Sequence, residues 1–369
     1  MKAISIGTKY EIYNDSLKTY DKLPAKTYTV RYAKSSGFFL EERADLAVVE
    51  KIYGVHLEKV VKVIEAFNLF ERNLGVILSG DKGIGKSLFA RLLSAKAIET
   101  GYPVIIVDQF IPGIASYIES IEQEAVFLFD EFDKTFGGVH PGENEADPQA
   151  SLLSLFDGVS QGKKLFIITC NSLYKLNDYL VNRPGRFHYH FRFNYPSAGE
   201  IRDYLADKLE DRYQSEIDKV ILFSKKVALN FDCLRAIAFE LSLGRSFEAA
   251  IQDLNIINTN EGTYHVTLHF KGGITMDAKR CRLDLFNNED MERVALRDNN
   301  GRDLVIVGFN PLLCSYDEVR HATVIPAEQL TVDCTEYYGD EVQEETRKLI
   351  PEYLSIVRTE ERNIHYLTA

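Results

Sequence analysis

The chain has 369 residues, of which 45% are hydrophobic and 27% are charged, so it can bury a substantial core divided among roughly two or three domains. Its formal net charge of -12 argues against a surface dominated by contacts with nucleic-acid phosphates. Because it has no bilayer-length apolar stretch, no N-terminal secretory signal and no C-x-x-C pair among five cysteines, we expect a cytoplasmic protein without a membrane segment, zinc site or disulfide framework.

The N-terminal region predicts a small β-hairpin. Two runs of strand-forming residues in the range 27–47 flank a turn at Ser35-Ser36-Gly37. Tyrosines are interleaved with basic residues here, a pattern that can bind a nucleic-acid backbone. The alternation in Tyr28–Tyr32 favours another interpretation, in which the basic side chains form the solvent face of a half-buried strand. The basic residues concerned are Lys18, Lys22, Lys26, Arg31 and Lys34.

A phosphate-binding loop is the strongest local signal. A helical pattern from His56 to Phe70 leads into an apolar strand at Val76–Leu78, and the residues that follow fit G-x-x-x-x-G-K-[ST]. Glycines let backbone N–H groups point at phosphate oxygens, Lys86 reaches the β- and γ-phosphates, and the Ser87 hydroxyl ligates Mg²⁺. We therefore expect ATP or GTP to bind here. The nucleotide-binding residues of this run are Gly80, Asp81, Lys82, Gly83, Ile84, Gly85, Lys86, Ser87 and Leu88.

Two carboxylates end a second buried strand. The run Ala125–Phe129 is wholly apolar and stops at Asp130 and Glu131. Because carboxylates at the tip of a core strand are costly unless they are used, we expect Asp130 to hold the Mg²⁺ shell and Glu131 to orient and deprotonate a water for attack on the γ-phosphate. The structural alternative is an ordinary acidic turn after a core strand.

The remaining pattern predicts an α/β domain followed by helices. Apolar strands at 104–107, 126–129 and 165–169 alternate with helices, which indicates a parallel sheet covered on both faces. A short strand near Phe191–Tyr195 closes this domain. Residues 197–258 then read as helices only, and Ser197 with Glu200 forms a capping-box pattern at the first of them.

The C-terminal third favours β-structure. Tyr264–Phe270 alternates between apolar and polar residues, and two further apolar runs flank the turn Asn299-Asn300-Gly301. A helix is possible within Asp340–Ile350, but the many carboxylates of Glu336–Arg362 favour a solvated or partly ordered end.

Four motifs in this order resemble the AAA+ ATPases. The phosphate loop matches Walker A, Asp130-Glu131 matches Walker B, Asn171 ends the next strand, and Asn182–Phe187 contains R-P-G-R-F, as in the AAA clade proper. Leu152–Val159 also resembles the helix that precedes the sensor strand of that clade. The overall layout is similar to AAA+ proteins encoded by tailed bacteriophages.

The resemblance implies a three-layer AAA+ P-loop NTPase domain with a parallel sheet and a helical lid. It covers roughly residues 56 to 258. We predict an N-terminal β-containing element at 1–55, the α/β nucleotide-binding domain at 56–196, the helical lid at 197–258, and a β-rich domain with an acidic tail at 259–369.

The same resemblance implies roles for four further residues. Asn171 corresponds to sensor 1, which holds the attacking water or the γ-phosphate. Arg183 and Arg186 correspond to arginine fingers that act in a neighbouring subunit's site, so a ring of roughly six subunits is expected. Arg235 lies where many AAA+ proteins carry a sensor-2 arginine. Members with R-P-G-R usually lack that arginine, and a surface arginine near Asp232 explains the position almost as well.

The expected function is ATP-driven remodelling or disassembly of a protein complex. The alternatives are a nucleic-acid-handling motor or loader and a nucleotide-switched assembly scaffold. Gln109–Glu124, where unfoldases of this clade carry a pore loop, is short. Phe110 either projects into a channel or packs against the adjoining helix. The glycine-rich, acidic loop Phe136–Asn144 is a second channel candidate.

Overall fold

A computed structural model describes residues 2–13, 17–46, 51, 53, 56–137, 148–157, 162–181, 183–256, 263–283, 285, 291–317, 319–320, 322–335 and 337–359. The chain divides into two compact units, residues 1–194 and residues 195–369. Within the described ranges, no helix combines the length and apolar character needed to cross a bilayer.

The first unit is an α/β structure. Its elements in chain order are β1 (Lys2–Ile6), β2 (Lys9–Tyr13), β3 (Thr27–Ala33), β4 (Gly37–Arg43), α1 (His56–Leu69), β5 (Leu74–Ser79), α2 (Lys86–Glu99), β6 (Val104–Ile106), α3 (Ile114–Glu119), β7 (Ala125–Phe129), α4 (Phe132–Thr135), α5 (Pro148–Ser151), α6 (Leu153–Phe156), β8 (Lys164–Cys170) and β9 (Tyr189–Arg192).

A seven-stranded sheet in the order β4-β3-β6-β7-β8-β5-β9 forms the centre of this unit. Every neighbouring pair is parallel except β3 and β4. Strands β5, β7 and β8 are buried along their whole length, as continuous apolar runs require when both faces of a sheet are covered. The predicted α/β fold with a parallel sheet is confirmed.

The N-terminal hairpin is part of this sheet. Strand β3 pairs in parallel with β6, and β4 pairs with β3 on the outer edge. The expected alternation in β3 is wrong for its first half, because Thr27 and Thr29 are buried together with Tyr28 and Val30. An interior strand is covered on both faces, so its polar residues are buried as well.

The basic residues of the hairpin contact carboxylates of the same unit. Lys26 Nζ lies 2.6 Å from Glu42 Oε1, and Arg31 Nη1 donates to both oxygens of Asp108 at 3.0 and 3.1 Å. These two cations are therefore already paired.

The second unit begins with helices and continues as an antiparallel sheet. Its elements are α7 (Ala198–Lys208), α8 (Gln214–Lys226), α9 (Phe231–Ser242), α10 (Phe247–Asp253), β10 (Thr263–Phe270), β11 (Thr275–Arg282), β12 (Glu292–Arg297), β13 (Asp303–Phe309), β14 (Ser315–Asp317), β15 (Ala322–Pro326), β16 (Leu330–Cys334), α11 (Asp340–Arg347) and β17 (Pro351–Arg358).

The helical bundle forms as its sequence predicts. Ser197 accepts a hydrogen bond from the Glu200 backbone, and the Glu200 side chain accepts one from the Ser197 backbone, so the capping box is present. Asn230 and Ser246 cap α9 and α10 by one bond each, because their side chains accept from the backbone N–H groups of Cys233 and Ala249. These caps satisfy backbone groups that the first turn of a helix leaves unpaired.

The C-terminal sheet has eight strands in the order β14-β15-β17-β10-β11-β12-β13-β16. Alternate residues of β10 are buried, and β12 pairs with β13 around the turn at Gly301, whose φ is +79°. The expectation of a solvated tail is wrong for residues 340–358. Strand β17 lies between β10 and β15 and buries Leu354 and Ile356, while α11 supplies Val342 to the same core. Residues 360–369 lie outside the described part.

Lysine side chains at the end of α8 join the bundle to the sheet within this unit. Lys226 Nζ donates to the carbonyls of Leu285 at 3.0 Å and Pro311 at 3.3 Å, and the Tyr264 hydroxyl donates to the Lys226 carbonyl. Lys225 lies 4.5 Å from the ring centroid of Tyr316. Burial at this junction lowers the pKa of both ammonium groups.

Protonation of His190 is expected to destabilise the first unit in mild acid. The ring Nε2 lies 2.6 Å from Ser79 Oγ, and burial, with Arg192 nearby, lowers the pKa of His190 to about 4. An unfolded histidine has a pKa of about 6.5, so between these values the unfolded chain binds more protons and stability falls as the pH falls. Urea unfolding from about pH 7 to about pH 5 measures this slope.

Two histidine variants separate this effect from general acid sensitivity. His190→Asn removes the half-buried imidazole, whereas His188→Asn removes an exposed one two residues earlier. We expect the first variant to lose part of the acid dependence and the second to retain it. Equal slopes in both variants and the parent chain would contradict the assignment.

Candidate nucleotide-binding site

The loop between β5 and α2 has the backbone of a phosphate cradle. Gly80, Gly83 and Gly85 have φ values of +142°, +74° and +101°, which side-chain-bearing residues rarely adopt. A Cβ at Gly80 would also lie 2.4 Å from the Phe193 carbonyl oxygen. Glycine is therefore required at Gly80 by both conformation and space.

Lys86 is fixed at the centre of this loop. Its Nζ donates to the carbonyls of Gly80 at 2.6 Å and Asp81 at 2.5 Å, and to Asn171 Oδ1 at 2.9 Å. The residue is only 7% exposed, and this burial lowers the pKa of Lys86, while nearby groups that include Asp133 act in the opposite direction. The structure thus brings together two residues that the sequence predicted from separate motifs.

A threonine on β8 positions the two acidic residues at the end of β7 by hydrogen bonds. Thr169 Oγ1 donates to Asp130 Oδ1 at 2.6 Å and accepts a hydrogen bond from the Glu131 backbone at 2.8 Å. Glu131 has a left-handed backbone with φ of +49°, and its half-exposed carboxylate pairs with Lys134. Thr169 was not predicted as a site residue. The available signal was a hydroxyl in an otherwise apolar strand, directly before Cys170-Asn171.

Asp133 is a second residue that the sequence analysis missed. It is 2% exposed, and its Oδ2 accepts from the Ser172 backbone at 3.2 Å. No donor among the described residues bonds its other oxygen. Its charge acts on both Lys86 and Cys170, and burial is the main reason that the pKa of Cys170 rises to about 12. The D-E-x-D spacing after β7 was the signal available for it.

The carboxyl ends of parallel strands explain why these residues meet. Loop 80–85 follows β5, the carboxylates follow β7, and Asn171 follows β8, which lies between them. Ligands of open α/β sheets bind at this edge. Ser87 is exposed on the first turn of α2. The edge therefore combines a glycine-rich loop, the buried Lys86 ammonium group, and side-chain carboxylate and amide oxygens. This set of groups fits the phosphates of a nucleotide.

The two arginines of the R-P-G-R motif lie in different environments. Arg183 is exposed, and its guanidinium lies 5.2 Å from the ring centroid of Tyr179. Arg186 is 9% exposed and forms a bidentate ion pair with Asp157, in which Nη2 lies 2.6 Å from Oδ2. This contact lowers the pKa of the Asp157 carboxyl. Arg186 Nη1 also donates to the Tyr179 carbonyl at 2.6 Å.

Other predicted residues are placed as follows. Arg235 lies in the first turns of α9, its guanidinium is exposed, and it is 3.8 Å from Asp232. Its sensor-2 role stays a prediction. Asn182 and residues 138–144 of the second channel candidate lie outside the described part.

The sheet order, the phosphate loop and the carboxylates at the strand ends define a P-loop nucleotide-binding domain. Residues 76–195 match the AAA family, described as the ATPase family associated with various cellular activities. These residues form an AAA ATPase domain, the class of domain that binds and hydrolyses ATP.

Curated relatives are similar to this chain at low identity. ATP-dependent zinc metalloprotease FtsH 1 of Phytoplasma mali is 28% identical over 184 residues, which cover 46% of this chain and 31% of that protein. FtsH of Mycoplasma genitalium is 24% identical over 350 residues, 89% of this chain and 46% of that protein. An ATPase family AAA domain-containing protein of Arabidopsis thaliana is 27% identical over 149 residues, 36% of this chain and 12% of that protein. The chain thus spans less than half the length of each.

Replacing Thr169 by valine is expected to reduce ATP hydrolysis. Valine keeps the shape of the side chain but leaves Asp130 and the Glu131 backbone without the shared hydroxyl. We expect kcat to fall by about 10- to 100-fold, as is typical when a residue that orients a metal-site carboxylate is lost. ATP affinity should change little. Thr29→Val removes another buried threonine hydroxyl from the same sheet and serves as the control. A kcat equal to that of the control would contradict the role of Thr169.

Proposed function

We propose that this chain is the subunit of an AAA+ ring that hydrolyses ATP to remodel or disassemble a protein complex. The observation that carries the proposal is the meeting of Lys86, Asn171 and the Asp130–Thr169–Glu131 group at one edge of the sheet. Each of these groups suits one part of the hydrolysis of a γ-phosphate.

Each residue of the site has a separate role in ATP hydrolysis under this proposal. Lys86 exchanges carbonyl partners for the β- and γ-phosphates, and Asn171, 2.9 Å from Lys86, holds the γ-phosphate or the attacking water. Glu131 orients that water and accepts its proton. Ser87 and Asp130 would hold Mg²⁺, a hard cation bound mainly by phosphate, carboxylate and water oxygens. When bound, Mg²⁺ neutralises charge on the transferring phosphoryl group.

The exposed position of Arg183 supports the proposal of an oligomer. Its guanidinium is exposed on the loop after the sensor strand, where it can enter the site of a neighbouring subunit. An arginine finger contributes about 10³ to 10⁵ in rate in other phosphoryl-transfer enzymes, so we propose a ring, with six subunits as the leading stoichiometry, whose activity depends on assembly. We place it in the cytoplasm, in keeping with its five unpaired cysteines.

The short segment after β6 favours remodelling without a gripping pore loop. Phe110 is partly buried against the core, with its ring centroid 5.9 Å from that of Phe136. Further along, Tyr117 stacks on Phe38 of the N-terminal hairpin at 5.0 Å. Contacts of this kind hold the segment against its own subunit.

The alternative functions remain open to a direct test. The alternative of a nucleic-acid motor requires the N-terminal basic residues to contact the nucleic acid, although Lys26 and Arg31 are paired with carboxylates. A nucleotide-switched scaffold would bind ATP and assemble without sustained turnover. Stimulation of ATPase turnover by DNA, by a co-purifying protein or by neither distinguishes the three functions.

Variants of Lys86 and Glu131 should produce different defects. Lys86→Ala removes an ammonium that contacts phosphate, so ATP affinity should fall by about 10- to 100-fold, equivalent to about 1.5–3 kcal/mol. Glu131→Gln should retain binding and lose hydrolysis. Binding measured with a fluorescent ATP analogue, alongside phosphate release, separates the outcomes. An equal loss of affinity in both variants would refute the assigned roles.

Truncation of Phe110 tests the absence of a gripping loop. Because its ring packs against Phe136, Phe110→Ala should lower the melting temperature, with a cost below the about 3–5 kcal/mol typical of a fully buried phenylalanine. Tyr174→Ala truncates an aromatic residue that is 77% exposed and is the control for stability. An unchanged melting curve for Phe110→Ala, combined with loss of target remodelling, would favour threading.

A further inference from the structure

We propose that Arg183 alone acts on the neighbouring subunit's nucleotide, and that Asp157, Arg186 and Tyr179 are positioning residues that aim it. This inference rests on the proposed function, because it requires hydrolysis at a site shared between subunits. The sequence motif assigns both Arg183 and Arg186 as arginine fingers, whereas this inference gives them different roles.

Each of the three guanidinium nitrogens of Arg186 makes a hydrogen bond within its own subunit. Two of its nitrogens bond the Asp157 carboxylate and the third bonds the Tyr179 carbonyl. The side chain of Arg186 is also only 10% exposed. To reach a neighbouring phosphate, Arg186 would have to break all three bonds and leave Asp157 without this partner. Charge-assisted bidentate pairs are among the strongest side-chain contacts, so Arg186 is suited to hold its loop in place.

The same bonds position Tyr179. Arg186 holds the carbonyl of Tyr179 at 2.6 Å, which fixes the backbone from which the tyrosine ring projects. Tyr179 is 54% exposed, and the guanidinium of Arg183 lies 5.2 Å from its ring centroid. A guanidinium packed on an aromatic face loses much of its orientational freedom while its edge nitrogens remain available to a ligand.

The backbone between the two arginines forms a closed turn. The Arg183 carbonyl accepts from the backbone N–H groups of Arg186 at 2.9 Å and Phe187 at 3.0 Å. Phe187 is buried, and its ring packs edge-on against Phe156 at 5.0 Å. One end of the turn is therefore anchored in the core, and only Arg183 of the pair projects outward.

This arrangement meets the requirement for a group that acts across an interface. Charge stabilisation in a transition state depends on donors that are oriented before the reaction. Asp157 holds Arg186, Arg186 holds the Tyr179 backbone, and Tyr179 supports Arg183. Each step is an observed contact, so a defect at any step should lower the rate in the neighbouring site without changing nucleotide affinity in the subunit's own site.

A mixed-subunit assay tests the proposal. Donor subunits carry Lys86→Ala, which disables their own site, and acceptor subunits carry Arg183→Ala, which removes their own finger. Turnover in co-assembled mixtures therefore reports the donated finger. We expect donors that also carry Tyr179→Leu to lose about 100-fold, the scale of a displaced catalytic group. Tyr179→Phe should restore most of the activity, because it keeps the ring. Tyr174→Leu, on the same loop, is the control and should leave donation unchanged.

Non-additivity gives the second readout. Adding Tyr179→Leu or Arg186→Ala to an Arg183→Ala donor should cause no further loss, because there is then no finger left to aim. The double variant Asp157→Ala with Arg186→Met removes both charges together and replaces Arg186→Ala if that variant unfolds. Circular dichroism and ATP binding in subunits with an intact Lys86 establish that the variants are folded.

The outcomes are distinct. Rings of Arg183→Ala subunits that turn over ATP without any donor, together with inactive rings of Arg186→Ala subunits, would overturn the proposal and make Arg186 the finger. Loss in Tyr179→Phe equal to that in Tyr179→Leu would overturn the aiming role of the ring. If unmodified donors restore no activity to acceptors in rings shown to co-assemble, the shared site itself fails, and with it the proposed function.

Discussion

The site depends on a buried ammonium group. Taking a cation out of water is costly unless hydrogen bonds replace the lost hydration, and Lys86 is held by two backbone carbonyls and Asn171. Those partners meet only because β5 and β8 are parallel neighbours whose carboxyl ends lie at one edge of the sheet. The close approach of Gly80 to Phe193 fixes the same loop from its other side. The order of strands in the sheet is therefore needed to assemble the site as well as to form the hydrophobic core.

Local features of the fold were predictable, and long-range pairing was not. The phosphate loop, the apolar core strands and the capped helices of the bundle are each specified by a few consecutive residues. The insertion of β3 beside β6 and of β17 between β10 and β15 joins segments far apart in sequence. Carboxylates around β17 concealed its buried centre, Leu354–Ile356, and the buried threonines of β3 are polar residues on an interior strand.

The same distinction applies to the site. Asp130 and Glu131 were found from their own strand, but Thr169 depends on the register that pairs Phe129 with Ile168 and so sets residue 169 beside residue 130. Arg183 and Arg186 are three residues apart and look equivalent in sequence. Asp157, which lies 29 residues before Arg186, makes them different by binding only one of them.

The junction at Lys226 has a mechanical consequence. The Lys226 ammonium, the Tyr264 hydroxyl and the Lys225–Tyr316 contact all link the helices to the strand-containing part of the same unit. A rotation of the helices relative to the strands would have to break these contacts, and Lys226 would lose both of its carbonyl partners. We therefore expect a rotation of helices 198–253 to carry the strands after them along as one body.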